Sequence, residues 1–88
     1  MDGSKTRILV VDDSAYNRQT LAAMLDQDPG IEVIGRASNG KEALRMVFDL
    51  QPDVITLDLE MPRMDGFTFL RILMARQPTP VIVVSSYA

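Results

Sequence analysis

The sequence contains neither cysteine nor histidine. Without cysteine there is no disulfide framework and no thiolate site, and without histidine there is no imidazole base, no histidine-based catalytic triad and no ready zinc site. The formal net charge is −3 and the lysines and arginines are not clustered, which argues against a nucleic-acid surface. Because the first residues lack a signal-peptide core and no apolar run approaches the roughly 18 residues of a membrane span, we expect a cytoplasmic protein without a membrane partner.

What the 88 residues do contain is a regular alternation of strand-like and helix-like segments. Short apolar runs predict strands over residues 8–11, 54–57 and 81–84, and the alternation of Ile31 and Val33 with polar residues predicts a strand near a sheet edge over 31–35. Apolar residues at helical spacing predict helices over 15–27 and 67–76, and a further helix that contains residues 43–48 and ends at about residue 50. In the last helix, the residues available for a core face are Phe69, Leu70, Leu73 and Met74. This order predicts an α/β fold with a mostly parallel sheet, right-handed crossovers and helices on both faces.

Polar side chains stand at the ends of the predicted inner strands. Asp12 and Asp13 follow the first strand, Asp58 follows the third and Ser85 follows the fourth. Ligands of open parallel sheets bind beyond the carboxyl ends of the strands, so these groups should converge. Three carboxylates in one cleft repel each other unless a cation is present, and oxygen ligands with room for water suit Mg²⁺. A carboxylate beside Mg²⁺ is also a possible nucleophile toward phosphorus, with the hydroxyl near the new phosphate.

Simpler interpretations remain open for some of these residues. Asp12, Asp13 and Ser14 could only end a strand and cap a helix. A calcium loop around Asp58 fails because the spacing does not match an EF-hand. A Mg²⁺-dependent phosphohydrolase with an aspartate nucleophile would want a second aspartate at position 60, where Glu60 stands. Arg18, Arg63 and Arg71 are expected to be solvated, with contact to phosphate or a partner as the alternative for Arg63.

Three stretches, ILVVDDSAYNRQTL, PDVITLDLEMPRMDGFTFL and PVIVVSS, resemble the receiver domain of bacterial two-component response regulators, most of all that of chemotaxis protein-glutamate methylesterases. The resemblance implies a flavodoxin-like (CheY-like) doubly wound sheet with strand order 2-1-3-4-5. It makes Asp58 the phosphoacceptor, Asp12 and Asp13 the acidic pair that binds Mg²⁺ together with Asp58 and the backbone carbonyl of Glu60, and Ser85 the switch hydroxyl. The implied phosphoryl donor is a histidine kinase.

The sequence also departs from the pattern that the resemblance implies. We expect residues 1–6 to be a leader and residues 7–88 to be a partial receiver, truncated after the fourth strand. The fourth helix, the fifth strand with its phosphate-contacting lysine, the fifth helix and the output domain would be absent, and neither Lys5 nor Lys41 stands at a matching place. No esterase activity is expected from this chain. The strand at 81–84 would then be an apolar edge, and we expect self-association through it.

Two functions follow as hypotheses. The first is a phosphorylatable switch, modified at Asp58 with the help of Mg²⁺ and controlling an attached output domain. The second is a fragment that keeps the fold but no longer takes up phosphate, and acts as an interaction or self-association module. Uptake of a phosphoryl group distinguishes them, whereas metal binding does not, because the carboxylates are present in both.

Overall fold

A computed structural model of the chain describes residues 4–59 and 66–84. Strands and helices alternate along it, as predicted. They are β1 (Thr6–Val11), α1 (Ala15–Asp26), β2 (Ile31–Ala37), α2 (Gly40–Leu50), β3 (Val54–Leu57), α3 (Gly66–Arg76) and β4 (Val81–Val83). The differences from the predicted bounds are mostly one or two residues at element ends, where turn residues and caps rather than periodicity decide the boundary.

The four strands form one parallel sheet in the order β2-β1-β3-β4. The chain crosses from β1 to β2 on one side and then to β3 on the other, so the strand order reverses between β1 and β3. This confirms the predicted doubly wound α/β fold. In such sheets the crevice at the reversal, beyond the carboxyl ends of the strands, is the place where ligands bind.

Helices cover both faces of the sheet, and the side chains of β1 alternate between two apolar clusters. Leu9 and Val11 pack with residues of α2 and α3, whereas Ile8 and Val10 pack with Ala22 of α1. All four of these strand residues are buried, as expected for a central parallel strand. The two inner strands are therefore held from both faces, and the residues that follow them have a rigid support.

One detail of the helix packing differs from the sequence-based expectation. Phe69 and Leu73 of α3 are fully buried, but Met74 is 47% exposed. Residues four apart share a helix face, whereas the next residue is rotated by about 100°, so Met74 points away from the sheet. None of the helices in the described ranges is long and apolar enough to cross a bilayer.

The two outer strands differ in their exposure. The half-buried pattern of β2 agrees with the predicted edge position. At the other side, β4 is the last strand of the described sheet, and Ile82 and Val83 are 57% and 48% exposed. The apolar character of this exposed edge was expected from the sequence.

Candidate functional site

Three carboxylates meet at the carboxyl end of the sheet. Asp12 and Asp13 follow β1, and Asp58 follows β3, the neighbouring strand. One carboxylate oxygen of each lies within 4.8 Å of the other two, and we call these three residues the acidic cluster. Asp12 and Asp58 are buried, whereas Asp13 is exposed. The cluster therefore has two groups in the protein interior and one that faces solvent.

The backbone on either side of the acidic cluster is held by the sheet. The N–H of Asp12 donates to the carbonyl oxygen of Ala37 at 3.0 Å, and the N–H of Asp58 donates to that of Val11 at 3.0 Å. The side chain of Asp12 is oriented as well, because its Oδ1 accepts a hydrogen bond from the Ser14 N–H at 2.8 Å. Ser14 itself is the N-cap of α1, as predicted. Ser14 thus both caps α1 and orients a side chain of the acidic cluster.

Arg18 reaches back to the acidic cluster from the second turn of α1. Its Nη1 donates to the backbone carbonyl oxygen of Asp12 at 2.8 Å, and the residue is half-buried. The expectation that Arg18 is solvated was wrong. The sequence offered a weak signal, namely that Arg18 is the fourth residue after the N-cap. A side chain at this position can fold back over the helix N-terminus only if the strand end lies there, which the tertiary structure decides.

The loop after β2 is fixed beside the acidic cluster by the cap of α2. The N-cap side chain of Asn39 accepts from the Glu42 N–H at 2.8 Å, and Glu42 Oε1 accepts from the Ser38 N–H at 2.7 Å and from its hydroxyl at 3.1 Å. The Ser38 N–H is the largest cause that lowers the pKa of Glu42, and Arg45 and Arg18 add smaller effects in the same direction. Reciprocal bonds of this kind hold a helix start in place.

The electrostatics of the acidic cluster are unfavourable without a cation. Burial raises the pKa of Asp12 above its ordinary value, and the carboxylates of Asp58 and Asp13 raise it further. The Ser14 backbone N–H and the Arg18 guanidinium act in the opposite direction but do not prevail. Because the ionised form of Asp12 is disfavoured, any positive charge that enters the cluster is stabilised there.

The donor set of the acidic cluster fits a hard divalent cation. It offers carboxylate oxygens alone, close enough together to share one ion, and the exposed side of Asp13 leaves room for water ligands. Mg²⁺ binds through a few carboxylates and keeps several waters, so it suits this arrangement better than metals that require nitrogen or sulfur ligands. Asp12, Asp13 and Asp58 are the residues that would hold it.

Several predicted site residues lie outside the described residues. They are Glu60, whose backbone carbonyl is a predicted metal ligand, Ser85 and Arg63. Their predicted roles as metal ligand, switch hydroxyl and solvated cation remain predictions. The roles of Asp58 as phosphoacceptor and of Asp12 and Asp13 as metal ligands are likewise predictions, for which the structure provides the geometry.

Comparisons with known proteins agree with this fold. Residues 8–88 match the family model of the response regulator receiver domain. The chain is 59% identical over 81 residues to protein-glutamate methylesterase/protein-glutamine glutaminase 1 of Myxococcus xanthus, covering 92% of the chain but 24% of that relative. It therefore spans about a quarter of the length of this curated relative.

Solved structures show the same architecture. The response regulator domain of Thermotoga maritima CheB is similar with a TM-score of 0.90 and 46% identity, covering 93% of this chain and 61% of that one. A further similar structure is the complex of the P1 domain of CheA3 with CheY6 from R. sphaeroides, with a TM-score of 0.84 and 37% identity, covering 98% of this chain and 67% of the other.

A parallel β2-β1-β3-β4 sheet that carries three aspartates at the ends of β1 and β3 defines the class, and the chain belongs to the response regulator receiver domain family. Within that family it is similar to the receivers of chemotaxis protein-glutamate methylesterases. The resemblance seen in the sequence is thereby confirmed.

Proposed function

We propose that this chain is a phosphoacceptor module, modified on Asp58 in a Mg²⁺-dependent reaction and supplied by a histidine kinase. The observation that carries the proposal is the acidic cluster itself, in which a buried aspartate at the end of β3 has a carboxylate oxygen within 4.8 Å of those of Asp12 and Asp13. Burial in a rigid sheet keeps the Asp58 side chain in one place, which favours attack on a bound donor.

The proposed step is a phosphoryl transfer to a carboxylate. A carboxylate oxygen of Asp58 forms a bond to phosphorus, and the phosphorus–nitrogen bond of a phosphohistidine donor breaks. The electron pair of that bond stays on the imidazole nitrogen, which takes a proton from solvent, and Asp58 becomes an acyl phosphate. When bound, Mg²⁺ neutralises charge on the phosphoryl oxygens during transfer. Asp12 and Asp13 would hold the cation, and the hydrogen bond from the Ser14 N–H fixes the orientation of the Asp12 side chain.

The partners follow from the same proposal. The donor is a histidine kinase, and support comes from the similarity to a structure in which a receiver-like chain is bound to the P1 domain of CheA3. The regulated partner is an output domain with protein-glutamate methylesterase and glutaminase activity, because the curated relatives carry that name and extend well beyond the matched region. We place this signalling in the cytoplasm. The charge balance that argued against nucleic acid leaves protein partners as the natural choice.

The test uses acetyl phosphate, a small donor that removes the need for the kinase. The chain is incubated with acetyl phosphate and Mg²⁺, and its intact mass is followed in parallel with the variant Asp58→Asn and the control variant Asp28→Asn. Asp28 is an exposed aspartate of an Asx turn, with Oδ1 accepting from the Gly30 N–H at 2.7 Å.

The expected result is one added phosphoryl group that requires Mg²⁺, persists in Asp28→Asn and is lost in Asp58→Asn. Modification that survives in Asp58→Asn would contradict the assignment of the acceptor. Absence of any modification in the unaltered chain would favour the second hypothesis, an interaction module without phosphate uptake.

We also infer that the free edge of β4 is a pairing surface, with a second copy of the chain as its occupant in this 88-residue form. Ile82 and Val83, whose side chains point to opposite faces of the sheet, are about half exposed, and the strand has a partner only on its β3 side among the described strands. Apolar edges of this kind pair readily. Sedimentation should show a concentration-dependent dimer that Ile82→Lys weakens, whereas a monomer at all concentrations would refute the inference.

A further inference from the structure

Arg18 interacts with two acidic residues, Asp12 and Glu42. Its guanidinium donates to the backbone carbonyl oxygen of Asp12 at 2.8 Å, so a full positive charge is held at the residue that carries a buried carboxylate of the acidic cluster. The same charge helps to lower the pKa of Glu42 and opposes the rise in the pKa of Asp12 that burial causes. Arg18 therefore acts on both the end of β1 and the start of α2.

The bond that Arg18 makes does not involve the carboxylate of Asp12. Its Nη1 donates to the backbone carbonyl oxygen of Asp12, and the Asp12 Oδ1 accepts from the Ser14 N–H instead. A guanidinium bonded directly to that carboxylate would have to be displaced by an incoming metal ion. Here the charge of Arg18 acts on the Asp12 carboxylate through space.

Other charges near Arg18 provide a matched comparison. The positive charge of Arg45 also lowers the pKa of Glu42, but Arg45 is an exposed residue of α2. Arg18, in contrast, is half-buried and donates to the backbone carbonyl oxygen of Asp12. The two arginines thus share Glu42 as an acidic neighbour, and Arg18 is the one that is bonded at the acidic cluster.

We propose that Arg18 is a positioning residue with a second role as internal counter-cation of the acidic cluster, so that it stabilises the metal-free chain and weakens Mg²⁺ binding. This inference rests on the proposed metal site. In the metal-free chain a nearby positive charge offsets repulsion among the three carboxylates. Once a divalent cation occupies the cluster, the same charge repels that cation.

The counter-cation role and a purely structural role predict opposite changes in metal affinity. If Arg18 only held Asp12 in place, its removal would loosen the site and weaken Mg²⁺ binding. If its charge dominates, Arg18→Gln tightens Mg²⁺ binding by roughly three- to tenfold at low ionic strength, and the gain shrinks with added salt. Under either role, Arg18→Gln should lower the unfolding temperature of the metal-free chain.

The experiment measures the Mg²⁺ dissociation constant by calorimetric titration of the chelator-treated chain, together with thermal unfolding without metal. The variants are Arg18→Gln, Arg18→Lys, which retains the charge, and Arg45→Gln as the matched control. We expect tighter binding and a lower metal-free unfolding temperature for Arg18→Gln only. Arg18→Lys and Arg45→Gln should bind Mg²⁺ within about twofold of the unaltered chain, because exposed or retained charges change little at the site.

The outcomes separate this inference from the proposed function. Unaltered Mg²⁺ affinity or weaker binding in Arg18→Gln overturns the inference alone. If Arg18→Gln does not fold, Arg18→Lys still tests the inference, because it retains the charge but not the guanidinium. A change of more than about fivefold in its Mg²⁺ dissociation constant would show that the geometry of the guanidinium outweighs its charge, and would overturn the inference. A complete lack of Mg²⁺ binding by the unaltered chain would instead refute the metal site on which both depend.

Discussion

Replacement of Asp12 by asparagine should stabilise the metal-free chain. Asparagine has the same shape, and its side-chain oxygen can still accept the hydrogen bond from the Ser14 N–H. The substitution therefore removes one buried charge without removing the local turn. What it relieves is the repulsion between Asp12 and the other two carboxylates of the acidic cluster.

The magnitude follows from the geometry of the cluster. Two unit charges at the 4.8 Å limit repel each other by about 1 kcal/mol at the dielectric constant of water and by about 3.5 kcal/mol at an effective value of 20. The buried Asp58 contributes more than the exposed Asp13, whose charge is screened by solvent. The attraction to Arg18 that is lost partly offsets the gain. We expect a net increase in the free energy of unfolding of about 1–3 kcal/mol at neutral pH.

The pH dependence has a definite sign. The pKa of Asp12 is raised in the folded chain, so between its ordinary value and the raised value the folded state binds a proton that the unfolded state has released. The stability of the unaltered chain attributable to this group therefore falls as the pH rises through that window. The advantage of Asp12→Asn should be full above the raised pKa and disappear below the ordinary pKa of aspartate.

Urea unfolding followed by far-UV circular dichroism checks this prediction across a pH series in the presence of a chelator. Asp28→Asn is the control, because Asp28 makes the same type of turn with the Gly30 N–H away from the cluster. Added Mg²⁺ should stabilise the unaltered chain much more than Asp12→Asn, which lacks one ligand. Equal or lower metal-free stability of Asp12→Asn at neutral pH would refute the electrostatic argument.

Three further predictions concern the supports of the site and the core. Replacing Glu42 by glutamine removes the charged acceptor of the Ser38 N–H and should cost about 0.5–1.5 kcal/mol at neutral pH in urea unfolding. Because the pKa of Glu42 is lowered, this cost is full above its ordinary pKa and vanishes as the pH falls through the lowered value. Gly66→Ala would place a Cβ 2.7 Å from the Leu59 Cα, so we expect a loss of about 1–3 kcal/mol and slower phosphoryl uptake at the adjacent acceptor. Phe69→Ala, at a fully buried position, should cost about 3–5 kcal/mol in the same unfolding assay.

Matched variants test the reasons given for these effects. The Cβ of Gly30→Ala would meet no atom closer than 3.3 Å, so a loss comparable to that of Gly66→Ala would contradict the steric argument. Met74→Ala removes a half-exposed side chain and should cost less than about 1 kcal/mol, and a larger cost would show that α3 is packed differently. A stability difference for Glu42→Gln that is independent of pH would exclude the charge of Glu42 as its cause.

Much of the fold could be predicted because apolar periodicity and turn residues are local signals. The four apolar runs and the three helical patterns lie at the predicted places, and their alternation requires parallel pairing. The burial of individual helix residues was less predictable. Met74 is apolar and lies next to the buried Leu73, and only the angle at which α3 packs on the sheet decides that one is inside and the other exposed.

The position of carboxylates at the ends of two central strands can be read from the residue order alone, and parallel pairing brings Asp12, Asp13 and Asp58 to one edge of the sheet. The folded chain adds that one oxygen of each lies within 4.8 Å of the others, that Asp12 and Asp58 are buried, and that Arg18 folds back onto the Asp12 carbonyl. Residue spacing specifies the faces and ends of elements, whereas distances between side chains of different elements depend on how those elements pack.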